Sequence, residues 1–146
     1  LGIGEASVPL YRFYSNSRRD NRSSTDGTKW SDENQQALAF KIWGSHRKGL
    51  VPLYSCRHVV DTDAGQVERH FDSFSPKCER SDANPTAKQI GVHGFVASTQ
   101  VDGSVPFYRC MLNGNHFSTL STSVCTQFNY EVENGGNPVG YVMSPN

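Results

Sequence analysis

The chain has 146 residues, and its 14 basic and 14 acidic side chains cancel. That balance leaves no basic stripe for nucleic acid or for a charged membrane surface; Arg12, Arg18-Arg19 and Arg22, and His46-Arg47-Lys48, read as solvated turns. No apolar run approaches the about 18 residues of a spanning helix, which excludes helical membrane insertion. Thirteen Gly, seven Pro, eight Phe, six Tyr and two Trp describe short strands joined by many turns. The opening Leu1-Gly2-Ile3-Gly4 has no signal-peptide character, so a processed chain is expected.

In chain order, the first strand is Val8-Pro9-Leu10-Tyr11-Arg12-Phe13-Tyr14, where Pro, Tyr and Phe share one face and Val and Leu the other. A proline second in a strand belongs at a rim, where its missing N–H faces no partner. A polar stretch follows, Asp20-Asn21-Arg22-Ser23-Ser24-Thr25. Then Ser31-Asp32-Glu33-Asn34-Gln35-Gln36-Ala37-Leu38, with an acidic start and strong helix formers, predicts a single helical turn. The unit closes on the apolar strand Ala39-Phe40-Lys41-Ile42.

The same order then repeats twice. Val51-Pro52-Leu53-Tyr54-Ser55-Cys56 leads through an insertion, Arg57 to Val67, to Glu68-Arg69-His70-Phe71-Asp72-Ser73 and closes on Gly94-Phe95-Val96-Ala97. Val105-Pro106-Phe107-Tyr108-Arg109-Cys110 leads to Gly114-Asn115-His116-Phe117-Ser118-Thr119 and closes on Val139-Gly140-Tyr141-Val142. One small unit is therefore built three times, over residues 1–48, 49–102 and 103–146 of a single domain. With a fourth strand before each closing strand, the count is twelve. An open sheet of that size would expose long edges, and closure removes them. The expected fold is all-β, a β-trefoil of three pseudo-threefold repeats with four short strands each.

The cysteines fall at 56, 78, 110 and 125, and Cys56 and Cys110 hold the same place in their opening strands. Four cysteines allow three connectivities. The repeat selects Cys56–Cys78 and Cys110–Cys125, each within its own unit; zinc ligation is the rival, although no closely spaced Cys pair is present. Disulfides point to an oxidising, extracellular compartment. Unit one has Phe13 where the others have Cys, so a Phe13–Trp30 ring contact is expected in place of a bridge.

No constellation for catalysis emerges. There is no G-x-S-x-G elbow, no H-E-x-x-H, and no pairing of carboxylates as acid and base, so an enzyme is not expected. His70 and His116 recur before a Phe. Each either ends a strand on a backbone hydrogen bond or lines a shallow repeated pocket, with an aromatic face for sugar C–H groups and short polar side chains for hydroxyls. Unit three is densest, with Asn113, Asn115, His116, Tyr130, Glu131, Glu133 and Asn134. Unit two offers Glu68, Arg69, His70 and Asp72, with Asp82 and Asn84 beyond, and unit one offers Asp20, Asn21 and Arg22. Asn21-Arg22-Ser23 is also an N-glycosylation sequon on an expected surface turn.

The pattern V-P-[LF]-Y-R-[CF], [DN]-H-F-x-[ST], Cys and G-[YF]-[VI], over Val8 to Val142, resembles a tandem repeat of secreted and cell-surface proteins of bacteria, fungi and invertebrates. It is similar to the building unit of some invertebrate β-trefoil lectins. Val105 to Cys110 with Asn115-His-Phe-Ser118, Cys125 and Gly140-Tyr-Val142 match best, while unit one lacks both Cys and His-Phe. The resemblance implies a secreted, multivalent carbohydrate-binding protein. The expectation is thus a metal-independent lectin without cofactor, for amino sugars or galactosides, with two or three sites whose avidity grows by repetition and self-association. The alternative is a protein-binding trefoil, such as a protease inhibitor or receptor ligand, presenting the Arg57–Val67 insertion.

Overall fold

A computed structural model describes residues 6–145, so the opening residues 1–4, on which the expected processed start rests, lie outside the described residues. Unit one forms β1 (Ser7–Ser15), β2 (Asp20–Ser24) and β3 (Glu33–Trp43), and unit two forms β4 (Leu50–Thr62), β5 (Gly65–Ser73) and β6 (Lys88–Ala97). Unit three forms β7 (Ser104–Leu112), β8 (Asn115–Thr119), a short helix α1 (Thr122–Gln127), β9 (Glu131–Val132), a 3-10 turn at Asn134–Gly136, and β10 (Gly140–Met143). In every unit the opening strand lies antiparallel between its hairpin partner and the closing strand. The three closing strands then touch one another, Trp43 opposite Phe95, Tyr141 opposite Ala97 and Met143 opposite Lys41. The described chain is therefore all-β, with a nearly closed antiparallel sheet.

The register superimposes the units residue by residue. Leu10, Leu53 and Phe107 stand opposite Phe40, Gly94 and Gly140. With Ile42, Val96 and Val142 they fill the central core, where none of the seven apolar side chains exceeds 3% exposure. Phe40 thus occupies a position that is glycine in both other units, and its ring lies 5.1 Å from that of Phe107. The glycines are needed for close approach: a Cβ on Gly94 would lie 2.7 Å from the Trp43 carbonyl oxygen and 2.9 Å from Ile42 Cδ1. At the outer end of the closing strands, Trp43, Ala97 and Met143 form a second cluster with Leu50. The prolines Pro9, Pro52 and Pro106 lie where the opening strand has only its closing-strand neighbour, because hairpin pairing starts two residues later.

The opposite face of each opening strand builds a smaller core of its own. Cys56–Cys78 is buried with Phe71 and Ala87, and Cys110–Cys125 with Phe117. Both disulfides follow the within-unit pairing, and the bridging of all four sulfurs rules out the zinc alternative at these cysteines. Closing loops of this length contributes about 3 kcal/mol each on a chain-entropy estimate.

Unit one differs from expectation. Phe13 and Trp30 do not form a ring pair; the Arg22 guanidinium lies between them, 4.8 Å from the Phe13 centroid and 4.0 Å from that of Trp30. Arg22 stands in the position of Phe71 and Phe117, opposite Phe13, so cation–π stacking stands in for the missing bridge. Glu33 completes the arrangement with two bonds to Arg22, of 2.8 and 2.7 Å.

Two further expectations change. The described strands number ten, in sets of three, three and four, because β3 and β6 run unbroken where unit three divides into β9 and β10. β3 and β6 accommodate the bend with paired bulges, at Leu10/Tyr11 and Arg12/Phe13 and at the matching Leu53/Tyr54 and Ser55/Cys56. The stretch Ser31–Leu38 enters β3 after a turn instead of forming a helix, since pairing with β1 outweighs local propensity. The helical turn lies in unit three, where the Ser121 hydroxyl caps α1 by accepting from the Ser123 N–H and the helix carries the buried Cys125. The Arg57–Val67 insertion is no irregular loop: it continues the β4–β5 hairpin from Arg57 opposite His70 out to Thr62 opposite Gly65.

The close approach at Gly94 makes a direct prediction. Gly94→Ala should lose about 1–3 kcal/mol in chemical denaturation through overpacking. Gly91→Ala, in the same strand with nothing within 4 Å of an added Cβ, should stay within about 0.5 kcal/mol of wild type. Equal effects of the two substitutions would contradict the packing described.

Candidate functional site

The hairpin partners β2, β5 and β8 contact one another pairwise about a common axis, so their matching positions face one another. Ser23, Asp72 and Ser118 are one such set. The Asp72 carboxylate accepts hydrogen bonds from the Ser23 hydroxyl at 2.7 Å and the Ser118 hydroxyl at 2.8 Å, and pairs with His93 Nε2 at 2.9 Å. Asp20, Arg69 and Asn115 form the adjacent set. Asp20 Oδ1 accepts the backbone N–H of His70 at 2.9 Å, and Asn115 Oδ1 accepts that of Asn21 at 3.2 Å. The third position holds Arg69, which has no acceptor. It donates instead to the Asn113 carbonyl at 2.7 Å, and its Nε is buried without a partner. The ring is closed at two corners and altered at the third.

Further out, arginines stack across the seams between units. Arg12 of unit one lies 4.5 Å from the Phe117 centroid of unit three, and Arg109 of unit three lies 5.6 Å from that of Phe71 in unit two. The third seam has lost both partners, since Ser55 replaces the arginine and Arg22 the phenylalanine. The two surviving arginines differ in charge environment. Arg109 makes paired bonds of 2.7–2.9 Å with Glu133 and of 2.8 Å with Glu79. Burial opposes its charge, but these carboxylates outweigh it and hold the pKa of Arg109 above its ordinary value. Arg12 has no carboxylate partner among the described residues, and burial lowers its pKa.

The seam between units one and three opens into a cavity of about 540 Å³. Tyr14, Phe117, Phe128 and Tyr130 supply aromatic surface, and Asn16, Asn34 and Asn113 bring amides from exposed positions. Arg12, Arg19 and Arg69 complete the lining with Asn21, Asn115 and Leu112; no Asp or Glu is among these residues. A second cavity, of about 450 Å³ between units two and three, contains Asp72, Glu79, Arg109 and Glu133.

Of the residues singled out in the sequence, Asn21, Arg69, Asn113, Asn115 and Tyr130 converge on the larger cavity, although Asn21, Arg69 and Asn115 are nearly buried and largely bonded internally. Asp20 and His70 are buried against each other at the axis, and His70 also meets Trp30 edge-on at 5.6 Å. His116 donates through Nδ1 to the Glu133 carboxylate at 2.8 Å, the same carboxylate that holds Arg109, and Asp72 lies on the axis. Glu68 and Glu131 are exposed and line neither cavity. Asp82 is exposed, Asn84 binds His58 at 3.0 Å, and Asn134 closes its own turn on the Pro138 carbonyl. The sequon lies in β2, not on a surface turn; the Asn21 Nδ2 group donates to Asn115 and to the Tyr130 hydroxyl, so the folded domain does not present it. Sequence reasoning missed Arg12, Tyr14, Asn16, Asn34 and Phe128. One signal was present: Arg12 recurs as Arg109, while the position is Ser55 in unit two.

The axis makes a pH prediction. Burial would raise the Asp72 pKa, but His93 and the two serine hydroxyls outweigh it and hold the group below 3.8. Glu133 and Glu79 are likewise held below 4.5, where burial is overcome by His116 and Arg109 for the first and by Arg109 for the second. A depressed folded pKa gives stability that is present above the unfolded value and lost as pH falls through the folded one. Denaturation midpoints should therefore drop as the pH falls below about 4. Asp72→Ala, which leaves His93 and two hydroxyls without their acceptor, should cost about 3 kcal/mol at pH 7 and flatten the acid limb. An unchanged acid limb in that variant would contradict the role given to Asp72. Neither protein-family models nor curated proteins nor solved structures give a match to this chain.

Proposed function

We propose that the protein is a carbohydrate-binding module of the β-trefoil kind, working without metal or catalysis, and that the cavity between units one and three is its principal site. The observation that carries this reading is the convergence there of four aromatic side chains with three exposed asparagine amides. Aromatic faces accept the C–H faces of a sugar ring, and amides offer a donor and an acceptor to neighbouring hydroxyls. The volume falls within the range of about 300–1,000 Å³ usual for small-ligand sites. The smaller cavity between units two and three offers a second, weaker site, and two sites on one chain give avidity on a glycan-coated surface. The two disulfides fit secretion into an oxidising environment.

A protein-binding role has less support. Its expected loop is a laddered hairpin with a two-residue tip, not the irregular projecting segment that an inhibitor presents.

A glycan array with the intact chain tests the proposal. Retention of a defined subset of glycans is expected. Phe128→Ala, which removes a 47% exposed ring from the cavity wall, should weaken that retention about tenfold while leaving the thermal midpoint unchanged. A folded protein that retains no glycan would overturn the reading.

A further inference from the structure

We infer that the cavity between units one and three receives an acidic group of its ligand, so that the preferred saccharide carries a carboxylate or a sulfate ester; this rests on the glycan reading above. The cavity gathers the guanidinium groups of Arg12, Arg19 and Arg69 and has no carboxylate in its lining. Elsewhere, Arg18, Arg22, Arg57 and Arg109 each have a carboxylate within 3.4 Å. The contrast is sharpest between the symmetry-related Arg12 and Arg109. Both stack on the phenylalanine of the preceding unit, yet Arg109 is held by Glu79 and Glu133. The residue after the second cysteine is Glu79 in unit two and Thr126 in unit three, so the acid that serves Arg109 has no charged equivalent for Arg12.

The Arg12 guanidinium lies over the Phe117 ring, 4.5 Å from its centroid, and its N–H groups meet no acceptor among the described residues. Those donors match the two oxygens of a carboxylate or sulfate in a fork-like pair. Arg69, only 6% exposed, has a buried Nε without a partner, a second unspent donor in the same lining. Tyr130 does not neutralise this charge, because its burial raises its pKa and keeps the phenol protonated. A partly buried cation without a counter-ion is costly, and an anionic ligand offsets that cost where a neutral sugar does not. Arg19 is exposed at the edge and draws anions toward the opening.

Titration of the full chain, followed by NMR chemical shifts, tests this with galactose, galactose 6-sulfate, glucuronic acid and inorganic sulfate. At least one acidic sugar should bind about tenfold more tightly than galactose, with the advantage shrinking as salt is raised. The two acids separate sulfate from carboxylate as the preferred group. Arg12→Gln should abolish the advantage and Arg12→Lys should keep part of it. Arg19→Gln, which changes only an exposed side chain and keeps the backbone carbonyl that accepts from Asn115, should reduce it about two- to fivefold and keeps the test valid if Arg12→Gln is unstable. Equal binding of galactose, galactose 6-sulfate and glucuronic acid would overturn the acidic-group inference and leave the glycan reading standing. Binding by no saccharide, charged or neutral, would overturn both.

Discussion

The Asp72 carboxylate is the constraint on which the rest of the molecule depends. It sits where three strands from three units converge, accepts two serine hydroxyls and engages His93 from β6. A buried carboxylate is tolerated only when its oxygens are satisfied, so the three units must meet in one register to satisfy it. That register sets the neighbouring positions as well. Asp20 meets the backbone of unit two, Asn115 meets that of unit one, and Arg69, unable to accept, turns to the Asn113 carbonyl. The apolar core below repeats the logic without polarity, in the triads Leu10, Leu53, Phe107 and Ile42, Val96, Val142.

Function, on the reading proposed, lives where the threefold pattern fails. A perfectly repeated seam would place an arginine on a phenylalanine three times and neutralise each in the same way. Here one seam is neutralised by Glu79 and Glu133, one has exchanged both partners, and one keeps its cation without an acid beside a cavity. The register shared by the three units is held by the axis, the core and two disulfides rather than by the seams. The seams are free to diverge in a way that the axis is not.

Much of this was legible in the sequence. The three Val-Pro-aromatic strands, the apolar closing strands and the pairing of the cysteines follow from repetition alone, because equivalent positions must do equivalent work. The polar segments were harder. Asp20, His70, Asp72 and Asn115 look like surface residues when each hairpin is read alone, since nothing local shows that three such hairpins face one another. Their burial is a property of assembly. Arg12 is passed over when it is grouped with Arg18, Arg19 and Arg22 as a solvated basic turn; it lies in β1, and only its comparison with Arg109 marks it. Ser31–Leu38 has helix formers but is bound to β1, a pairing invisible to propensity.

A crystal structure of the chain grown with galactose 6-sulfate addresses the central claim directly. The expected map shows the saccharide in the cavity between units one and three, its sulfate forked onto Arg12 and its ring against Tyr130 or Phe128. Saccharide density at another surface, with this cavity holding only solvent, would contradict it.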